Sequence, residues 1–133
     1  MYPVTGLFLA STAHFCIIGC IFWNIEDHVQ SSIGERYIGT EGEQNTRGSL
    51  ILCLTITICL LAAEILFKFR QILSEKQIFF ALVSHTICCL VLLKFVVDLH
   101  VVSHFWYLLI FGSGPTVVLE LYVFMSSYKR GIV

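Results

Sequence analysis

Charge is what this chain has least of. Eight Lys and Arg and nine Asp and Glu make 13% of its 133 residues, against 57% hydrophobic ones. An average soluble domain carries ~25% charged residues and ~45–50% apolar ones. A soluble domain this small leaves roughly a third of its chain surface in water, so it has nowhere to hide so much hydrocarbon. A disordered chain is excluded for the same reason. The few basic residues are scattered and the net charge is −1, which excludes the basic footprint of a nucleic-acid binder. Catalytic signatures are missing too: there is no nucleophile elbow, no phosphate loop and no catalytic metal motif. Neither asparagine heads an N-x-S/T acceptor, since Asn24 is followed by Ile25-Glu26 and Asn45 by Thr46-Arg47. N-glycosylation is not expected.

What the chain has instead is long apolar runs. A spanning helix needs ~20 predominantly apolar residues, because the hydrocarbon core is ~30 Å thick and a helix rises ~1.5 Å per residue. Four segments qualify, at residues 5–24, 49–67, 78–97 and 105–125. The remainder is too short for a further domain, so residues 1–133 read as one tetraspanning membrane domain, an all-α four-helix bundle. The runs are rich in Ile, Val, Thr and Phe, but in lipid each segment must satisfy its own backbone, which overrides β preference. They are continuous rather than alternating, which argues against a β-barrel. The leader MYPVTG lacks Lys and Arg and WNIEDH is no small-residue cleavage site, so the first run reads as a retained helix.

Lys and Arg set the orientation. Lys68, Arg70 and Lys76 lie in the second connection and Lys129 and Arg130 in the tail, against Arg36, Arg47 and Lys94 on the other side. Both termini are therefore expected in the cytoplasm. The first connection, 25–48, holds Glu26, Asp27, Glu35, Glu41 and Glu43 against Arg36 and Arg47, and is punctuated by Gly34, Gly39, Gly42 and Gly48. It is expected to be an irregular acidic outer loop, either a solvated connector or a surface for a partner ectodomain. Trp23 and the cluster Phe105-Trp106-Tyr107 fall at outer span ends and Tyr128 at an inner one, the places of an interfacial aromatic belt. His100 and His104 flank a short outer turn.

All six cysteines, Cys16, Cys20, Cys53, Cys59, Cys88 and Cys89, lie inside spans and none forms C-x-x-C. A disulfide framework and a zinc site are not expected. The default reading is buried thiols acting as small hydrophobes; the alternative for Cys16 and Cys20 is a point of close helix approach.

The informative residues are His14, Glu64, His85 and Glu120, one in each span. An acidic side chain at mid-bilayer costs ~2.5–3.5 kcal/mol, so such groups face inward and find partners. Counted from the inner span ends, Glu64, Glu120, His85 and His14 lie at depths of roughly 4, 8, 10 and 14 Å. All four fall in one half of the bundle, within reach of one another. Three readings follow: hydrogen-bonded glue between helices, a metal site, and a proton or ion relay. The metal reading lacks the Glu-x-x-His pattern of di-iron bundles. In span four, Gly112-Ser113-Gly114-Pro115 predicts a kink, with the two glycines letting a neighbouring helix come close. A transporter's broken helix is the competing reading. Only one span is interrupted, which favours packing.

At these residues the chain resembles the transmembrane protein 107 family. The stretches that carry the resemblance are AHFCIIGCIFW around His14, LLAAEILFKF around Glu64, SHTICC around His85 and FWYLLIFGSGPTVVLELYVF around Glu120. The order H–E–H–E across four spans and the five-residue spacing of Pro115 and Glu120 are the discriminating features. The first loop contributes no residue match. The resemblance implies a non-enzymatic component of the Meckel-syndrome module at the ciliary transition zone. Tectonic-like and meckelin-like membrane proteins and C2-domain coiled-coil proteins are the implied partners. It implies no cofactor, no metal, no small-molecule substrate and no catalytic residue to carry over. Contacts inside the bilayer are the expected mode of binding, with Gly114→Leu predicted to disturb recruitment more than neutralisation of the acidic loop. A small proton- or ion-conducting protein is the alternative.

Overall fold

In hydrocarbon a backbone amide finds no water to bond, so each apolar run closes its hydrogen bonds on itself and becomes a helix. The computed structural model describes residues 2–34, 38–70, 74–99 and 101–131. Glu35, Arg36 and His100 lie outside the described residues. Helix α1 spans Tyr2–Trp23, α2 Ile25–Ile33, α3 Glu41–Arg70 and α4 Glu75–Asp98. Helix α5, Val102–Leu108, continues through a π-turn, Leu109–Ser113, into α6, Gly114–Lys129. Among the described residues no strand occurs. Four of these stretches are long and apolar enough to cross a membrane: Val4–Trp23, Glu41–Lys68, Glu75–Asp98 and Val102–Lys129.

The first connection departs from the irregular loop expected of it. Residues 25–33 form α2, and α3 starts at Glu41, so its first two turns stand outside the apolar run. Only Gly34 and Gly39 act as breakers, with φ of 69° and 82° in the left-handed region that favours glycine. Gly42 and Gly48 lie within α3, where they cost helix propensity without ending the helix. The start of α3 carries a signal of its own in Thr40-x-x-Glu43: the Glu43 carboxylate reaches back to accept from the Gly39 amide.

Helix α2 closes the end of the bundle away from the termini. It packs on α3, burying His28 and Val29. Ser31 Oγ donates to the carbonyl of Leu99, the left-handed residue (φ 49°) that ends α4. Ser32 Oγ accepts the Val102 amide, the first of α5, at 2.9 Å. The Arg47 guanidinium bridges Glu26 of α2 at 2.6 Å and Glu43 of α3 at 2.8 Å.

The main core lies in this half of the bundle, built from Ile18, Ile21, Val29, Leu50, Cys53, Leu54, Leu61, Leu92, Phe95, Val102, Phe105 and Leu109. Phe105 belongs to it rather than to the interfacial belt, because α2 lies over it: its ring meets Phe95 at 5.0 Å and His28 at 5.4 Å edge-on. Trp106 is half-buried and its indole N–H donates to Ser49 Oγ at 2.8 Å. Trp23, Tyr107 and Tyr128 do stay exposed, as amphipathic rings at a membrane interface require. Phe8, Phe79, Leu90, Val97 and Phe111 also face outward. In water such a surface would be an aggregation hazard, and in lipid it is the solvated side. The cysteines divide: Cys53 and Cys88 are buried, while Cys16, Cys20 and Cys59 face outward, so half of them are not core residues. Hydrocarbon penalises an outward thiol little, which removes the pressure that buries Cys in soluble proteins.

Candidate functional site

All four membrane spans contribute to a single intramembrane polar cluster, α3 with two side chains and the others with one each. The half-bundle nearer the termini has only a small apolar core, Leu7, Ile78 and Ala81. Polar contacts take over between it and the main core. Nδ1 of His14 on α1 lies 3.2 Å from Nδ1 of His85 on α4. Nε2 of His85 lies 2.8 Å from Oε1 of Glu64 on α3. The same oxygen accepts from the Lys68 ammonium, one helical turn on, at 2.8 Å. Lys68 in turn stands 3.7 Å from Oε1 of Glu120 on α6. His14, Glu64 and His85 are buried, and Lys68 and Glu120 nearly so.

A carboxylate only accepts, so His85 donates to Glu64 from Nε2. With the His85 ring neutral, its Nδ1 is the acceptor and His14 donates from Nδ1. The series is directional, from α1 through α4 to the carboxylate of α3. Such interhelical hydrogen bonds contribute ~0.6–2 kcal/mol each in a bilayer. Removing one partner costs more than that, because it strands the others in hydrocarbon.

The sequence places His14, Glu64, His85 and Glu120 at compatible depths, and the structure brings all four together. Lys68 is the member that sequence reasoning missed, having been counted only as a topology signal. Its i,i+4 spacing from Glu64 was the available clue, since that spacing puts the two on one helix face. Among the described residues no group of three or more His, Cys, Asp or Glu is placed to hold a metal.

The second feature is the turn at 109–115. Proline at 115 has no amide and its ring clashes with a carbonyl one turn back. The helix answers by widening: the Gly114 amide bonds to Leu109 five residues back, and Pro115 falls in the first turn of α6. Side chains add bonds to carbonyls of the turn, with Ser84 Oγ of α4 donating to Gly112 at 3.3 Å and Thr116 Oγ1 to Ser113 at 2.8 Å. Gly112 is the point of close approach. A Cβ there would stand 2.5 Å from the Cys88 sulfur on α4, whereas one at Gly114 would meet only the carbonyl of Leu109, at 3.7 Å. Pro115 itself faces outward.

Comparison with known proteins follows the same chain almost end to end. The family model TMEM107, described as Transmembrane protein, matches residues 4–124. The Transmembrane protein 107 of Danio rerio is 27% identical over 126 residues, covering 92% of each chain. Those of Rattus norvegicus and Mus musculus are each 23% identical over 127 residues, covering 94% of this chain and 90% of theirs. No solved structure matches. The match runs through all four spans and every member of the polar cluster, and the chain belongs to the Transmembrane protein 107 family.

Proposed function

We propose that this protein is a non-enzymatic membrane organiser of the ciliary transition zone, with both termini in the cytoplasm. It would hold other membrane proteins of the gate, tectonic-like and meckelin-like, together with C2-domain coiled-coil proteins beneath, and so support cilium assembly and ciliary membrane composition. The observation that carries the reading is the family match across residues 4–124. The architecture is consistent with it: nearly all of the chain is spent on membrane helices and short connections, leaving outward helix faces as its largest surface. Removing the protein from a ciliated cell tests it. Tectonic-like and meckelin-like proteins should then disperse from the cilium base, and their unchanged retention would refute the role.

A second reading, a proton or ion conductor, draws on the series His14–His85–Glu64–Lys68–Glu120. The series stops at His14. Beyond it Ile18, Leu54, Leu92, Phe105 and Leu109, with Thr57 and Ser113 the hydroxyl residues among them, close round a cavity of about 10 Å³, room for one water at most. From residue 14 to the end of α1 that apolar stretch runs about 14 Å. A relay confined to half the bundle fits glue better than conduction, and a liposome flux assay should read background leakage.

A further inference from the structure

Helices α4 and α6 separate as they run toward the inner membrane face. Gly112 keeps the π-turn against Cys88, but Pro115 starts α6 on the far side of it, where few contacts join α6 to α4. Between them lies an open groove of about 730 Å³, walled by Phe80 of α4 and by Pro115, Val118, Leu119 and Tyr122 of α6. That volume is in the range of small-molecule sites, ~300–1,000 Å³. Lys76 and Gln77, in the first turn of α4, form its polar end among the described residues. Lys76 is exposed, forms no ion pair among the described residues, and precedes Phe80 by one turn, so its ammonium stands over the mouth.

We propose that this groove holds one acyl chain of an anionic glycerophospholipid, with the lipid phosphate accepting from Lys76. Three observations converge on that occupant. The groove opens sideways into hydrocarbon and its walls are apolar, which suits a chain of methylenes. Its one polar end is a cation at the membrane interface, the complement of a phosphate. From Pro115 to Tyr122 the wall runs seven residues, about 10 Å, the reach of the upper part of an acyl chain. A partner helix is a poorer fit, because helices in bilayers approach each other over small residues and these walls are Phe, Tyr, Leu and Val. On the orientation proposed above, Lys76 faces the cytoplasmic leaflet, where anionic lipids concentrate.

The test places the full chain in phosphatidylcholine nanodiscs doped with phosphatidylserine or phosphatidylcholine carrying a photoreactive acyl chain, and maps the adducts by mass spectrometry. Phosphatidylserine adducts should concentrate on Phe80 and residues 115–122. Lys76→Gln should lower them about fivefold, the weight of one interfacial cation on a headgroup of net negative charge, and lower phosphatidylcholine adducts less, because choline already neutralises that phosphate. Val118→Trp should fill the groove and abolish the concentration; Val118 is 67% exposed, so the bundle tolerates it. Tyr122→Trp repeats the comparison if Val118→Trp alters the helical circular dichroism. Adducts spread evenly over the outward faces, equal labelling by both lipids, or labelling indifferent to both Trp variants would overturn the proposal. So would a groove shielded from both probes by a second copy or another protein.

Discussion

Glu64 Oε1 lies 2.8 Å from Nε2 of His85, joining α3 to α4 in the middle of the polar cluster. The same carboxylate takes Lys68, and His85 carries the contact on to His14. Glu64 is therefore the hub and Glu120 the periphery.

Glu64→Ala should cost about 3 kcal/mol, because it strands a buried lysine and imidazole. Glu120→Gln should cost under about 1 kcal/mol, since Glu120 meets Lys68 only at 3.7 Å. Unfolding of the purified protein in mild detergent measures both. Adding Lys68→Met to Glu64→Ala should recover part of the loss by removing the stranded charge. Equal costs at Glu64 and Glu120 would contradict a hub.

Gly112→Ala should destabilise the bundle by about 1–3 kcal/mol, the usual penalty of overpacking, because its Cβ would stand 2.5 Å from the Cys88 sulfur. Gly114→Ala, with no neighbour on another helix, should change stability by under about 0.5 kcal/mol. Cys88→Ala in the Gly112→Ala background should restore most of the loss. The same detergent unfolding assay reads this double-mutant cycle.

These two sites mark what was legible in the sequence. The four spans were, because apolar length alone sets them, and so was the meeting of His14, Glu64, His85 and Glu120, because a rise of 1.5 Å per residue turns position into depth. Lys68 was not, since a lysine near a span end reads equally as a topology signal. The division of labour between Gly112 and Gly114 was hidden because the π-turn rotates the residues after it, and no α-helical periodicity foretells that rotation. Helix α2 escaped notice because four glycines in its neighbourhood read as breakers, when only Gly34 and Gly39 break anything.

At the end of the bundle that α2 closes, Ser32→Ala removes the acceptor of the Val102 amide and should cost about 1 kcal/mol. Arg47→Ala should cost under about 1 kcal/mol and the difference should fade in high salt, because its pairs with Glu26 and Glu43 are partly exposed. Thermal unfolding at low and high ionic strength separates the two.

Orientation is open to chemical labelling. With cysteines placed by Glu41→Cys and Tyr128→Cys, both at exposed positions, a membrane-impermeant maleimide on intact cells should label position 41 and spare position 128 until the membrane is permeabilised. The reverse pattern would turn the topology over.

The central claim, that the protein organises the base of the cilium, is tested most directly by imaging the tagged full chain at its native level in ciliated cells. A signal confined to the zone between basal body and ciliary shaft is the predicted result. Uniform spread through the plasma membrane or along the whole cilium would contradict it.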